Sequence, residues 1–460
     1  PQPLPLAHQS YLIIFSKPLH IVTAFFLFLQ PKSVVFHKNR LYMIFKRKKY
    51  IDKLADSQGN GMVKIVTGGR RCGKSFLLFN LFHNYLISHG VNEDHIIELS
   101  LDDRRSKPLR NPDTLLDYID EHVKKDENTY YIILDEVQMV DDFVEVLLSL
   151  MHNPQMDVYV SGSNSKFLSK DVATEFRGRG DEICVWPLSF AEYYEELGGD
   201  RTLSWREYYT YGGLPQVALL AGSEKKMEYL RNMFEVTYLR DIIERNQLRN
   251  AEGMRQIVQV LSSGIGSPMN PQRISNTFQS VESVAISRNT IKDYISYLQD
   301  AFLIEEALRY DVKGRKYIGT ESKYYFTDMG LRGAVLDFRQ QEENHIMENV
   351  IYNELRMRGF LVDVGMVESW KKNKNNQNVR SNLEIDFVAN KGSQRYYIQS
   401  AFAITDDEKK EQEQASLKAI KDAFKRVVIL RNDIMPYHDE NGFLIIGLID
   451  FLLNPNSLDL

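Results

Sequence analysis

One stretch constrains this chain more than any other. Gly68-Gly69-Arg70-Arg71-Cys72-Gly73-Lys74-Ser75 satisfies the pattern G-x-x-x-x-G-K-[ST], with the apolar run Met62 to Val66 before it and Phe76-Leu77-Leu78-Phe79 after it. The order is strand, glycine loop, helix, the setting in which this pattern makes a nucleotide phosphate cradle. Gly68 and Gly73 let the backbone curl so that N–H groups turn inward, and the following helix presents its positive end to the same anion. Residues Gly68, Gly69, Arg70, Arg71, Cys72, Gly73, Lys74, Ser75 and Phe76 are therefore the candidate nucleotide-binding set. Lys74 would reach the β- and γ-phosphates, and the Ser75 hydroxyl would complete a Mg²⁺ shell.

A second signal lies downstream, where Tyr130-Tyr131-Ile132-Ile133-Leu134 runs into Asp135-Glu136. An apolar strand ending in two carboxylates puts both at the C-terminal edge of a parallel sheet, where ligands bind. Asp135 is the candidate metal holder and Glu136 the residue that orients and activates water. The next strand, Asp157 to Ser161, ends in Gly162-Ser163-Asn164-Ser165; Ser163 or Asn164 would sense phosphate or position water, unless this is an ordinary turn. Arg179 is a candidate arginine finger, acting in cis or from a neighbouring subunit of a homo-oligomer, with Arg177 as the alternative.

At 460 residues, 43% hydrophobic and 26% charged, the chain reads as two to four globular domains. A net charge of −5 and a pI near 6.1 leave no chain-wide basic surface, so any nucleic-acid contact must come from a local patch. Cys72 and Cys184 are the only cysteines; they make no disulfide framework or zinc site, and a cytoplasmic setting fits. The apolar clump Ile21 to Leu29 is too short to span a bilayer, so no membrane partner is expected. Met43 is expected to be the natural start, with residues 1–42 a non-native or disordered extension.

Continuous apolar strands alternating with amphipathic helices predict a parallel sheet covered on both faces through residues 43–200. Residues 201–263 read as a helical lid and connector. After the break Gly264 to Pro268, helices over Arg273 to Gln279 and from Ser287 to Leu298, then strands Leu303 to Tyr310 and Lys323 to Thr327 around Lys313-Gly314-Arg315-Lys316, predict a winged helix-turn-helix over 264–335. Arg288, Asn289 and Lys292 would face duplex DNA, with the wing lysines beside them. Residues 273–332 hold nine Lys and Arg against eight Asp and Glu, a balance that argues against strong phosphate-driven binding. Duplex DNA and an unidentified protein partner both stay open.

Residues 336–460 predict a further α/β domain, with a helix from Ile346 to Arg356 and strands near 361–367, 383–389, 396–400, 427–430 and 444–449. Glu384 and Asp386 fall on one strand face.

The phosphate loop, Leu134-Asp135-Glu136, Ser161-Gly162-Ser163, Gly178-Arg179, Pro187 to Glu192 and Tyr211-Gly212-Gly213-Leu214-Pro215 together resemble the AAA-type ATPases of archaea and bacteria that carry a DUF4143 C-terminal region. The resemblance runs from about Met43 to Leu448. It implies ATP as the nucleotide and an AAA+-like ATPase core related to the signal-transducing STAND group. It also implies Arg179 as the family's arginine, and Pro215 as part of a Gly-x-Pro lid element that approaches the nucleotide. The last domain is similar to the PD-(D/E)xK nuclease fold: Glu348 and Asp386 match its helix Glu and strand Asp. Gln399-Ser400-Ala401 stands where Glu-x-Lys is expected, so Gln399 would be a neutral ligand at best and no ammonium is supplied from Ala401. A degenerate nuclease-like domain is expected. The whole is thus an α/β chain: a P-loop, AAA+-like parallel-sheet core, then a winged helix, then a nuclease-like domain.

Overall fold

A computed structural model describes residues 34–37, 40–124, 126–162, 178–281, 286–317, 319, 321–372, 378–403 and 407–460. Residues up to Phe45 form one unit and Lys46 onward another. In the first, β1 (Val34–His37) and β2 (Arg40–Met43) pair antiparallel. This part of the expected extension is therefore a hairpin.

The second unit opens on the phosphate-loop core. Its strands are β3 (Val63–Thr67), β4 (Ile96–Ser100), β5 (Tyr130–Asp135), β6 (Met156–Ser161) and β7 (Gly180–Cys184). They form one sheet in the order β4-β5-β6-β3-β7, with every pairing parallel. Alternation along β5 sends Ile132 and Leu134 to one core with Leu147 and Leu150, and Ile133 to the other with Leu78 and Phe82. Both faces are covered, as the unbroken apolar runs require. Lys64 interrupts one of those runs. It is fully buried and paired with Asp157, which also accepts from the Tyr159 hydroxyl at 2.8 Å.

Helices dominate from Phe190 to Ser263. The helices Pro271–Val281 and Arg288–Asp300 follow, the second capped by Ser287, whose hydroxyl accepts from Thr290 N at 3.1 Å. β8 (Ile304–Ala307) pairs antiparallel with β11 (Lys323–Phe326), as a wing would. The rest of the expected wing goes elsewhere. β9 (Arg309–Asp311) and β10 (Lys316–Tyr317) pair with each other, and β9 runs parallel to β12 (Leu361–Lys372). They extend an eight-stranded sheet with β13 (Asn378–Lys391), β14 (Gln394–Ala401), β15 (Lys425–Leu430), β16 (Tyr437–His438) and β17 (Leu444–Gly447), in the order β10-β9-β12-β13-β14-β15-β17-β16. The division expected near residue 336 thus cuts through a sheet, because strand pairing overrides chain order.

Candidate functional site

The phosphate loop closes off β3 with three backbone positions in left-handed territory: Gly68 at φ 135°, Arg71 at 63° and Gly73 at 100°. A side chain at Gly68 would put its Cβ 2.1 Å from the Val185 carbonyl oxygen, so only glycine fits. Helix begins at Lys74 and continues to Ser88, passing through a wide turn at Leu77–Phe82. The Lys74 ammonium is buried and donates to the carbonyls of Gly68 at 2.9 Å and Gly69 at 3.0 Å. Its charge is thus solvated by neutral backbone dipoles, and among the described residues no carboxylate is bonded to it. Ser75 and Phe76 stay exposed at the loop, Cys72 is buried beneath it, and Arg70 and Arg71 flank it.

Asp135 ends β5 and is buried. Burial pushes its carboxyl above the usual range, against hydrogen bonds from Ser161 and Ser75. Ser161, at the end of the neighbouring β6, ties the two acids together: its hydroxyl donates to Asp135 Oδ1 and accepts from Glu136 N at 3.3 Å. Glu136 sits at φ 54°, and Gln138 donates to its carboxylate. The left-handed turn swings Glu136 out of the strand direction that Asp135 follows. The sequence marked Ser161 only as part of a motif; its bridging role needed the β5–β6 pairing. Asn164, with Ser163 and Arg177, lies outside the described residues.

Two expectations from the family resemblance separate here. Pro215 does approach the loop, because a Cβ on Gly73 would lie 3.8 Å from its Cγ. Arg179 does not. It precedes β7, and in the β3–β7 register Val63 faces Gly180 while Thr67 faces Cys184. The Arg179 carbonyl accepts from Val63 N at 3.0 Å, at the end of β3 opposite the phosphate loop. Five residues of strand at about 3.3 Å each separate the two ends, so an arginine in cis is on the wrong edge of the sheet. Parallel register, invisible in a motif, decides this correction.

Residues that no motif flagged also hold the loop. The helical connector passes it through a wide-turn segment, Met233–Leu239. From there the buried Tyr238 hydroxyl donates to the Arg70 carbonyl at 3.1 Å and lies 3.0 Å from where a Gly69 Cβ would stand. Asp241 pairs with the Arg70 side chain and, at 2.5 Å, with Arg245. On the lid side, Gly213 N donates to Asp328 Oδ2 at 2.7 Å. Asp328 also caps the helix Met329–Val335 by accepting from Leu331 N at 3.0 Å. Burial pushes Asp328 up to about 6 even against these backbone N–H groups.

The residues matched to the nuclease fold do converge. Glu348 lies on the helix Glu343–Met357, and Asp386 in β13 accepts from Gln399 Nε2 at 3.0 Å. Gln399 therefore presents a donor to Asp386, not a ligand oxygen; its carbonyl oxygen accepts from Ser416 at 3.3 Å. The missing ammonium is also present, from an unexpected element. Lys323 of β11 sits 2.9 Å from Glu348 and 2.8 Å from Glu384.

In sequence, residues 60–194 match the AAA domain family. Residues 202–342 match a domain of unknown function, DUF8612, which differs from the DUF4143 region that the resemblance named. An uncharacterised protein of Haemophilus influenzae is 30% identical over 415 residues, covering 88% of this chain and 98% of that protein. The uncharacterised protein MJ1544 of Methanocaldococcus jannaschii is 28% identical over 396 residues, 83% of each. Among solved structures, the Aeropyrum pernix ORC1 protein in complex with DNA overlaps 63% of this chain and 92% of its own, at 13% identity and a TM-score of 0.26. That overlap is too loose to bear on the site. No helix among the described residues is long and apolar enough to cross a membrane.

Proposed function

We propose, for a chain that belongs to the family of this Haemophilus influenzae protein and carries an AAA-type NTPase domain, that it binds ATP with Mg²⁺ and hydrolyses it as a conformational switch. The observation that carries this reading is the Lys74 ammonium, buried yet bonded only to the carbonyls of Gly68 and Gly69 among its described hydrogen bonds. A buried cation on neutral dipoles is a strong electrostatic host for phosphate oxygens. The donor set suits the metal as well, since Ser75 and Asp135 pair a hydroxyl with a carboxylate, both hard oxygens. Mg²⁺ there would neutralise charge on the phosphates. The chain's own work is positioning: Ser161 fixes the two acids, and the Glu136 carboxylate orients and activates water.

A switch also needs a route outward. Contacts run from Gly73 to Pro215, and from Gly213 to Asp328 and the helix it caps. We read this lid as the reporter of nucleotide state to the parts that follow, in place of Arg179 within the same chain. If Arg179 acts as a finger, it acts in a neighbouring subunit's site. Mixing Lys74→Ala and Arg179→Ala proteins should then restore turnover that neither shows alone.

The test is steady-state ATP hydrolysis by the full chain with Glu136→Gln as the blank, in the presence and absence of duplex DNA. Turnover above the blank is expected. None would sink the switch and leave a nucleotide-loaded scaffold. The exposed Arg288, Asn289 and Lys292 at the start of their helix motivate the DNA arm, where stimulation would make that helix a DNA sensor.

A further inference from the structure

The PD-(D/E)xK resemblance implies a Mg²⁺ ion held by Glu348 and Asp386, and the residues around those two acids can be tested against that ion. A divalent cation of this kind needs carboxylate oxygens free to approach to about 2.0–2.1 Å in near-octahedral array. The oxygens here are already engaged by fixed donors. Glu348 Oε1 accepts from Lys323 Nζ at 2.9 Å and from the Tyr325 hydroxyl at 2.7 Å. Its other oxygen faces the backbone of Gly266, where even a Cβ would come within 2.9 Å. Glu384 Oε1 lies 2.8 Å from the same ammonium, and its Oε2 lies 3.9 Å from Arg309 Nη2. Asp386 Oδ2 accepts from Ser400 N at 2.8 Å and Gln399 Nε2 at 3.0 Å, while Oδ1 stands 4.0 Å from Lys323. Among the described residues, no group of three or more His, Cys, Asp or Glu is arranged to hold a metal ion.

We infer that Lys323 is the resident cation of this cluster, which is an ion-paired network whose carboxylate oxygens are already engaged and not a divalent-metal centre. Three carboxylates converge on one ammonium that is only 3% exposed, with the Arg309 guanidinium behind it. Removing either side of a buried ion pair leaves an uncompensated charge, so the ammonium and the acids hold one another in place. The ammonium reaches the centre from β11, whereas the acids come from β13 and from the helix Glu343–Met357. One side chain therefore pins the small β8–β11 sheet to the eight-stranded sheet. The network stands apart from the phosphate loop and does not depend on the ATPase reading.

The experiment is a titration of the full chain with Mn²⁺ alone, without nucleotide, followed by the electron paramagnetic resonance of the free ion. The wild type is expected to take up no stoichiometric Mn²⁺. Lys323→Met, checked for native circular dichroism, is expected to take up one Mn²⁺ per chain, and Lys323→Met/Asp386→Asn to lose it. Uptake of one ion by the wild type, abolished by Asp386→Asn, would overturn the inference. A folded Lys323→Met protein that binds no Mn²⁺ would overturn it too. Where Lys323→Met fails to fold, the comparison of wild type with Asp386→Asn decides alone.

Discussion

Two buried lysines, Lys74 and Lys323, are 5% and 3% exposed, yet they are solvated in opposite ways. Lys74 donates to two backbone carbonyls, Lys323 to two carboxylates. A carbonyl dipole stabilises an ammonium without cancelling its charge, so the field around Lys74 still attracts an anion. The carboxylates around Lys323 more than offset its charge, so no positive field is left there to attract an anion. Burial and hydrogen bonding alone do not distinguish a binding lysine from a structural one; the formal charge of its partners does.

The sharpest way to break this comparison is to remove each ammonium. Lys323→Ala leaves buried carboxylates without their cation and should lower stability by about 3–5 kcal/mol, read from urea denaturation. Adding Glu348→Gln and Asp386→Asn to it should recover part of that loss. Lys74→Ala should leave urea stability nearly unchanged and cut ATP turnover by about 10²–10³-fold, as removal of one preorganised charge-stabilising donor does. If the two variants exchanged these signatures, the distinction between carbonyl-held and carboxylate-held lysine would collapse.

Smaller effects sharpen the same contrast at the edges of the loop. Tyr238→Phe removes the hydroxyl that holds the Arg70 carbonyl. It should raise KM for ATP about fivefold, the equivalent of about 1 kcal/mol for one hydrogen bond, and leave kcat unchanged. Loss of kcat with KM unaltered would assign Tyr238 to the chemistry instead of loop positioning. A pH-dependent effect concerns Asp328, raised from 3.8 to about 6 by burial. The folded chain binds this proton more readily than the unfolded one. Its contribution to stability is therefore full below pH about 4 and falls as pH rises through 6. The stability of wild type relative to Asp328→Asn should decline over that interval in urea midpoints taken at successive pH values; a flat difference would refute it.

What the sequence made legible was local. The loop from Gly68 to Ser75 and the pair Asp135-Glu136 are contiguous motifs on a strand edge, and the helix Glu343–Met357 announces itself by period and by the Arg358-Gly359 stop. What it concealed was non-local. Arg179 sits in a motif, but parallel pairing with β3 places it at the far edge. Lys323 reads as an ordinary residue at a strand start, since its partners Glu348, Glu384 and Asp386 lie 25 to 63 positions further along. The contacts of Gln399 were not legible either, because an amide has a donor and an acceptor side and only neighbours decide which one a carboxylate meets.

The strands β9 and β10 carry a consequence for how this chain can be divided and made. They are synthesised well before β12, yet they form the border of the sheet that β12 begins. A fragment started near residue 336 would expose the unpaired flank of β12 to other chains and would be prone to aggregate. During synthesis, residues 309–317 must wait for strands that emerge later, so completion of this sheet is a late event in the life of the polypeptide. The unit that closes this sheet therefore takes in residues 309–317 and is larger than a domain begun near residue 336.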